Sequence, residues 1–161
     1  MSIETIPQNP PEIRLSEAHN RAWRLFLTVS LRLGDRVDTA FSNAKLPSME
    51  AYDVLFTLKK APDYRLRLSD LADQILLSRS NLTRLCDRLE TAGLLVRESC
   101  PSDRRGTYAV LTPAGLDMQA QMWSVYSAVI ATHFAQHLTE ADTETMQRVC
   151  GQMLEGLTSQ R

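Results

Sequence analysis

Between Ser16 and Phe41 apolar residues recur at three- and four-residue steps: Ala18, Ala22, Phe26, Val29, Leu33, Val37 and Phe41. That period predicts one long helix with Ser16 as its N-cap. Trp23, Leu27 and Leu31 widen its apolar surface beyond a single packing stripe, so two packing partners are expected. Ahead of it, residues 1–15 carry Pro7, Pro10 and Pro11 among polar neighbours with no period, the pattern of a flexible arm. Ser48 opens a second helix whose Ala51, Val54, Leu55 and Leu58 share a face, and Ala61-Pro62-Asp63 ends it. Arg65 to Leu68 reads as a short extended link. Ser69 then caps a third helix packed through Leu71, Ala72 and Ile75, and Leu76-Leu77-Ser78 turns into a fourth.

The fourth helix, Arg79 to Ala92, divides into two faces. Leu82, Leu85, Cys86 and Leu89 fall on one side; Arg79, Ser80, Asn81, Thr83, Arg84, Asp87 and Arg88 fall on the other. Gly93 stands where a helix end needs a left-handed residue, and Leu94 can fold back on the last turn. Val96 begins a strand, Cys100-Pro101-Ser102-Asp103 makes a turn, and Thr107 to Leu111 returns as a second strand. Thr112-Pro113 restarts helix. The fifth helix carries Leu116, Ala120, Trp123, Tyr126, Ile130 and Phe134. The sixth, capped by Thr139, carries Met146, Val149, Cys150, Met153, Leu154 and Leu157.

The order helix, helix, helix, hairpin over residues 45–112 is that of a winged helix-turn-helix, so the fold class is mainly α, with a three-helix module and a β-hairpin wing. Residues 16–44 and 113–161 supply helices with long apolar stripes, and a two-fold partner subunit is the simplest way to cover them. A helix presented like the fourth is built to enter the major groove of double-stranded DNA, and a hairpin tipped with paired arginines reaches the backbone or the minor groove.

Charge modifies this picture only by its distribution. The chain of 161 residues has net charge -1, but residues 65–112 hold eight basic and six acidic side chains, net +2, against net -3 over residues 113–161. All eight of those basic residues are arginines, suited to phosphate and guanine. A 43% hydrophobic content suffices for one core. No run approaches a membrane span and no signal peptide precedes the helices, so a cytoplasmic protein without membrane contact is expected. Three widely spaced cysteines, Cys86, Cys100 and Cys150, argue for reduced thiols and against a CxxC site.

LSDLADQILLSRSNLTRLCDRLETAGLLVR followed by DRRGTYAVLT, Asp103 to Thr112, resembles the MarR family of bacterial transcriptional regulators, from about Ser16 to Leu157. The resemblance implies a homodimer with interleaved terminal helices, its two winged modules on a pseudo-palindromic operator, acting as repressor or activator. Ser78 to Arg88 would be the recognition helix, with Ser78, Arg79, Ser80, Asn81, Thr83, Arg84 and Arg88 toward DNA. Arg105 would enter the minor groove, Asp103 would pair with it and fix its direction, and Arg104 would contact phosphate. It also implies modulation by a small organic effector, aromatic or phenolic, held between the dimerisation helices and the winged module. Urate-responsive members use an acidic residue at the position of Asp53 together with a wing arginine and a tryptophan, which makes Asp53 and Trp23 pocket candidates; plain packing is the alternative for both.

His133 and His137, four apart, can face one way as two metal ligands would, with His19 as a third. The competing expectation is ordinary polar residues, and no metal or cofactor is assigned. Cys100, near Arg97, Arg104 and Arg105, is a candidate for an acidified thiol. Peroxide-sensing members of the family carry their cysteine near the start of the first helix, where this chain has none; Cys86 and Cys150 read as small core residues. A thiol- or metal-responsive regulator and a helical protein-interaction module without DNA binding are the rival readings. No Gly-rich phosphate loop, nucleophile elbow or HExxH motif marks an enzyme.

Overall fold

The computed structural model describes residues 14–75, 78–100 and 103–158; the side chains of Arg79 and residues 103–105 fall outside that description, as does most of the predicted arm. Six helices, α1 (Glu17–Asn43), α2 (Met49–Lys60), α3 (Leu68–Ile75), α4 (Arg79–Thr91), α5 (Pro113–His133) and α6 (Glu140–Thr158), surround three strands, β1 (Arg65–Arg67), β2 (Leu95–Cys100) and β3 (Asp103–Leu111). The strands form an antiparallel sheet in the order β1-β3-β2, with Leu66 opposite Ala109 and Arg97 opposite Ala109 on the other side.

Caps set most helix boundaries. Ser16 Oγ accepts from the His19 N–H at 3.1 Å while His19 Nδ1 lies 3.3 Å from the Ser16 N–H, a reciprocal box with histidine in the place usually held by glutamate. Ser48 and Ser78 cap α2 and α4, Thr112 caps α5 with Pro113 in the first position, and Thr139 and Asp142 bond reciprocally at the start of α6. Two helices end in the same way. In α4 the Leu94 N–H reaches the Leu89 carbonyl and the Gly93 N–H that of Glu90, with Gly93 at φ 72°; in α1 Leu46 and Lys45 make the equivalent bonds to Phe41 and Ser42.

Several details differ from the sequence expectation. Leu68 opens α3, so Ser69 stands within the first turn and its hydroxyl donates to Asp70 Oδ1. The stretch after the proline break is a strand, because β3 offers it an open edge. The return strand of the wing starts at Asp103, four residues before Thr107. The inward face of α5 is Gly115, Gln119 and Met122, leaving Ala120 exposed and Trp123 49% exposed.

The core joins the last turns of α1 (Val37, Phe41) to α2, α3, α4, the sheet and Met122 of α5. An aromatic cluster ties three helices together: Tyr52 of α2 lies edge-on to Tyr126 of α5 at 4.9 Å, and both lie near Phe41 of α1. The rest of α1 and all of α6 contribute nothing to this core. Trp23, Leu25, Phe26, Val29, Leu31, Met153, Leu154 and Leu157 remain exposed although apolar, so among the described residues nothing covers the widened stripe of α1. Among the described residues no helix is long and apolar enough to cross a membrane.

Candidate nucleic-acid interface

The two faces of α4 are fixed by burial. Leu82, Leu85, Cys86 and Leu89 are each at most 3% exposed, so the helix cannot rotate without exposing its leucines. That holds Ser80, Asn81, Thr83, Arg84, Asp87 and Arg88 outward. At the N-terminus Ser78 Oγ accepts from the Asn81 N–H at 3.3 Å and lies 3.3 Å from Ser80 Oγ. Arg79 occupies the first helical position. A polar cleft of about 490 Å3 runs along this face, lined by Glu50 from α2 and by Asn81, Arg84, Asp87 and Arg88. Among the described residues no ion pair engages Arg84 or Arg88, which leaves both guanidinium groups available to an anionic partner. Asp103, Arg104 and Arg105 begin β3 at the outer end of the hairpin, with Asp103 opposite Cys100; their predicted contacts fall on side chains outside the described set.

One residue the sequence reading did not single out for this interface connects its two halves. Arg97 of β2 points back at α4: Nη1 is 2.6 Å from Asp87 Oδ1 and 3.4 Å from Glu90 Oε2, Nη2 donates to the Thr83 carbonyl at 3.1 Å, and its backbone N–H donates to Glu90 Oε1 at 3.0 Å. Burial would lower the guanidinium pKa, but the hydrogen bond and charge of Asp87, with Glu90, outweigh it and raise the pKa. The signal was present in the alternation of β2, where Leu95 and Arg97 share the inward face and place a charge among core positions.

The pocket candidates lie on different surfaces. Trp23 lines an apolar groove of about 380 Å3 between α1 and α6, with Phe26, Met146, Val149 and Cys150. Asp53 is half-buried on α2; burial, reinforced by Glu50, raises its carboxyl above the usual range. Neither lines a second apolar cavity of about 340 Å3, where α1, α5 and the start of α2 meet around Leu33, Val37, Met49, Tyr126, Ile130 and Phe134. Next to Asp53 in sequence, Tyr52 belongs to a partly buried polar link between α2 and α5: Lys59 Nζ donates to Gln119 Oε1 at 2.6 Å and Gln119 Nε2 donates to Tyr52 Oη at 3.4 Å.

Among the thiols Cys86 stands in the core as expected, while Cys100 and Cys150 do not stand where the sequence put them. Cys100 is buried and accepts from Arg67 Nη2 at 3.3 Å, rather than standing open in the turn. Cys86 is a core residue whose thiol burial pushes up in pKa against the opposing charge of Arg97. Cys150, expected in a core, is exposed along the open groove between α1 and α6. His133 ends α5 and His137 lies in a separate 3-10 turn, so the two do not share a helix face, while His19 is engaged in the α1 cap. Among the described residues no three His, Cys, Asp or Glu side chains group closely enough to hold a metal ion.

Comparison with known proteins gives consistent matches. The family model described as MarR family matches residues 45–106. The chain is 32% identical to the HTH-type transcriptional regulator MhqR of Bacillus subtilis over 85 residues, 51% of this chain and 59% of that protein, so it spans less than two thirds of that curated relative. Among solved structures, AbsC of Streptomyces coelicolor, a MarR family transcriptional regulator, superposes with a TM-score of 0.83 at 32% identity, over 91% of this chain and 98% of AbsC. Sco3205 of the same organism, a MarR family regulator crystallised in complex with DNA, superposes with a TM-score of 0.84 at 27% identity, over 89% of this chain and 91% of Sco3205.

Proposed function

This chain belongs to the MarR family of transcriptional regulators, and from that premise we propose that it acts as a homodimer on double-stranded, pseudo-palindromic DNA in the cytoplasm, with α4 in the major groove and the wing against the backbone or minor groove. The observation that carries this reading is the outward face of α4, where Asn81, Arg84 and Arg88 project from a helix whose rotation the buried leucines fix. Arginine at such a position can bond guanine bidentately, and residues near the helix start reach base edges. Ser78, Arg79, Ser80 and Thr83 complete the proposed surface. Arg105 and Arg104 are assigned to groove and phosphate, with Asp103 directing Arg105. The role is binding, with no catalytic step.

The exposed apolar faces of α1 and α6 support the dimer: a chain with this much uncovered Trp, Phe and Leu gains in water by pairing those faces across a two-fold axis. For the effector, the cavity between α1, α5 and α2 is the better site. Its walls are apolar, with the Ser30 hydroxyl and Tyr126 at its edge, and it touches both the proposed dimerisation helices and the DNA module. A small aromatic or phenolic molecule fits its size and chemistry. It displaces Trp23 and Asp53 as the first residues to test.

The test is a salt titration. A duplex selected by the protein from a random-sequence library and a scrambled version are bound by the parent, Arg84→Ala and Arg105→Ala. Loss of a bidentate base contact should cost Arg84→Ala about 1–3 kcal/mol on the selected duplex and much less on the scrambled one. Arg105→Ala should weaken both and reduce the log-log salt slope by about one contact per subunit. Binding by the parent that does not depend on salt or sequence would refute the reading.

A further inference from the structure

We propose that Arg97 is a positioning residue that fixes the wing at one height and angle against α4, so that the helix and the hairpin present their DNA contacts as a single rigid unit. The inference rests on the DNA-binding reading above and adds to it a residue that touches no DNA. Arg97 holds three points on α4, the Thr83 carbonyl and the Asp87 and Glu90 carboxylates. They are spaced four and three residues apart on one face, about 10 Å along the helix axis at 1.5 Å per residue. The buried leucines fix which face of α4 turns inward; a single ion pair would still leave the wing free to shift along that helix, whereas three contacts to one planar guanidinium, with the Arg97 backbone N–H on Glu90 as a fourth, do not.

The contacts are also partly withdrawn from water. The Arg97 side chain is 24% exposed and its Nε is buried without a hydrogen bond. Pairs in such a setting are screened less than surface pairs. On its strand, Arg97 faces Ala109 of β3, the strand whose outer end carries Arg104 and Arg105. Thr83 and Asp87 flank Arg84 on α4. A change in Arg97 therefore alters the distance between the proposed major-groove and minor-groove contacts without removing either. It also leaves Asp87 and Glu90 uncompensated on the helix that faces phosphate.

The experiment compares the parent with Arg97→Met, Arg97→Lys and Asp87→Asn on the selected and scrambled duplexes across salt concentrations. For Arg97→Met, the two uncompensated carboxylates should weaken binding to both duplexes, and the misalignment should cost the selected duplex about tenfold more, the scale of one base contact, so that the ratio of selected to scrambled affinity falls about tenfold. The salt slope should stay at the parent value, because Arg97 contacts no phosphate. Arg97→Lys, able to neutralise the carboxylates but not to span all three points, should recover part of the loss. Asp87→Asn removes a negative charge from the DNA-facing helix, so electrostatics alone would strengthen binding to any duplex. The clamp predicts instead a lower ratio of selected to scrambled affinity. An unchanged ratio in Arg97→Met and Asp87→Asn, or a slope lowered by one contact in Arg97→Met, overturns the proposal. Should the parent bind no duplex, the functional reading fails, and the clamp is decided by amide exchange in the free protein. Amides of residues 83–90 should then exchange at least about tenfold faster in Arg97→Met with α5 unchanged, and equal exchange refutes it.

Discussion

Replacing Gly115 with alanine sets two effects of opposite sign against each other. Gly115 is the third residue of α5, with its N–H bonded to the Thr112 cap at 3.0 Å, and it packs against the turn that leaves α4. A Cβ there would stand 2.0 Å from the Leu94 carbonyl oxygen and 2.6 Å from Leu111 Cδ1. The leucine methyl can shift, whereas the carbonyl is backbone, accepts from the Thr112 N–H at 3.2 Å, and belongs to the residue whose own N–H closes α4 on Leu89. Helix propensity alone favours alanine by up to about 1 kcal/mol. Forcing the backbone apart costs about 1–3 kcal/mol by overpacking, and the threatened hydrogen bond adds about 1 kcal/mol. The clash wins, for a net loss of about 1–3 kcal/mol. At about 2–4 °C per kcal/mol for a chain of this size, Tm should fall by about 2–12 °C. Thermal melts by circular dichroism at one fixed protein concentration measure this, with Gly156→Ala, which meets nothing within 4 Å, as the control expected to hold or gain. A Tm for Gly115→Ala equal to or above the parent's would refute the reasoning, since it would mean that α5 is free to move away from the α4 turn.

The remaining predictions concern titration, thiols and assembly. Because burial raises the Asp53 carboxyl above its unfolded value, the folded chain holds that proton more tightly and stability falls as pH rises through the window just above the ordinary carboxylate range. Asp53→Asn should therefore raise Tm at pH 7 and lose that advantage near pH 3; equal gains at both pH values would contradict the burial argument. With Cys86 and Cys100 buried, a thiol reagent should modify at most Cys150 in the native protein and all three cysteines after denaturation, and rapid native modification of a second thiol would show that the wing or the core opens. Sedimentation at micromolar concentration should give a dimer for the whole chain, and a monomer there would remove the proposed partner of α1 and α6.

What was legible in the sequence was the part governed by short-range rules. Caps at Ser16, Ser48, Ser78, Thr112 and Thr139 and the left-handed Gly93 depend on a residue and its neighbours within four positions, and all stand where the sequence placed them. The α4 faces were legible for the same reason, since four leucine-like positions in thirteen residues leave one rotation. What failed was decided by distant chain. Ser69 lost its cap role, and the link at Arg65–Arg67, extended as expected, gained a partner the sequence did not show, because β3 pairs with that segment across more than forty residues of sequence. The face of α5 was read incompletely: Leu116 and Tyr126 pack against the core as expected, but Gly115 and Gln119, neither a hydrophobe, are buried beside Met122, one for close approach and one for its bonds to Lys59 and Tyr52.

The same division explains the candidate interface. Residues that would touch a partner announce themselves by being polar on a helix whose other side is apolar, so Asn81, Arg84 and Arg88 could be named from spacing alone. A residue that holds such a surface in place gives the opposite signal, a charge at an inward position, and is easily taken for a packing error or a solvated edge. Arg97 follows a buried leucine two positions earlier on β2, and its partners lie seven to fourteen residues upstream on another element. Only the folded arrangement shows that Thr83, Asp87 and Glu90 converge on it. On the proposed reading the wing is more than a second contact: its inner strand is tied to the helix beside it, so a substitution on β2 that reaches no DNA would still change which sequence α4 selects.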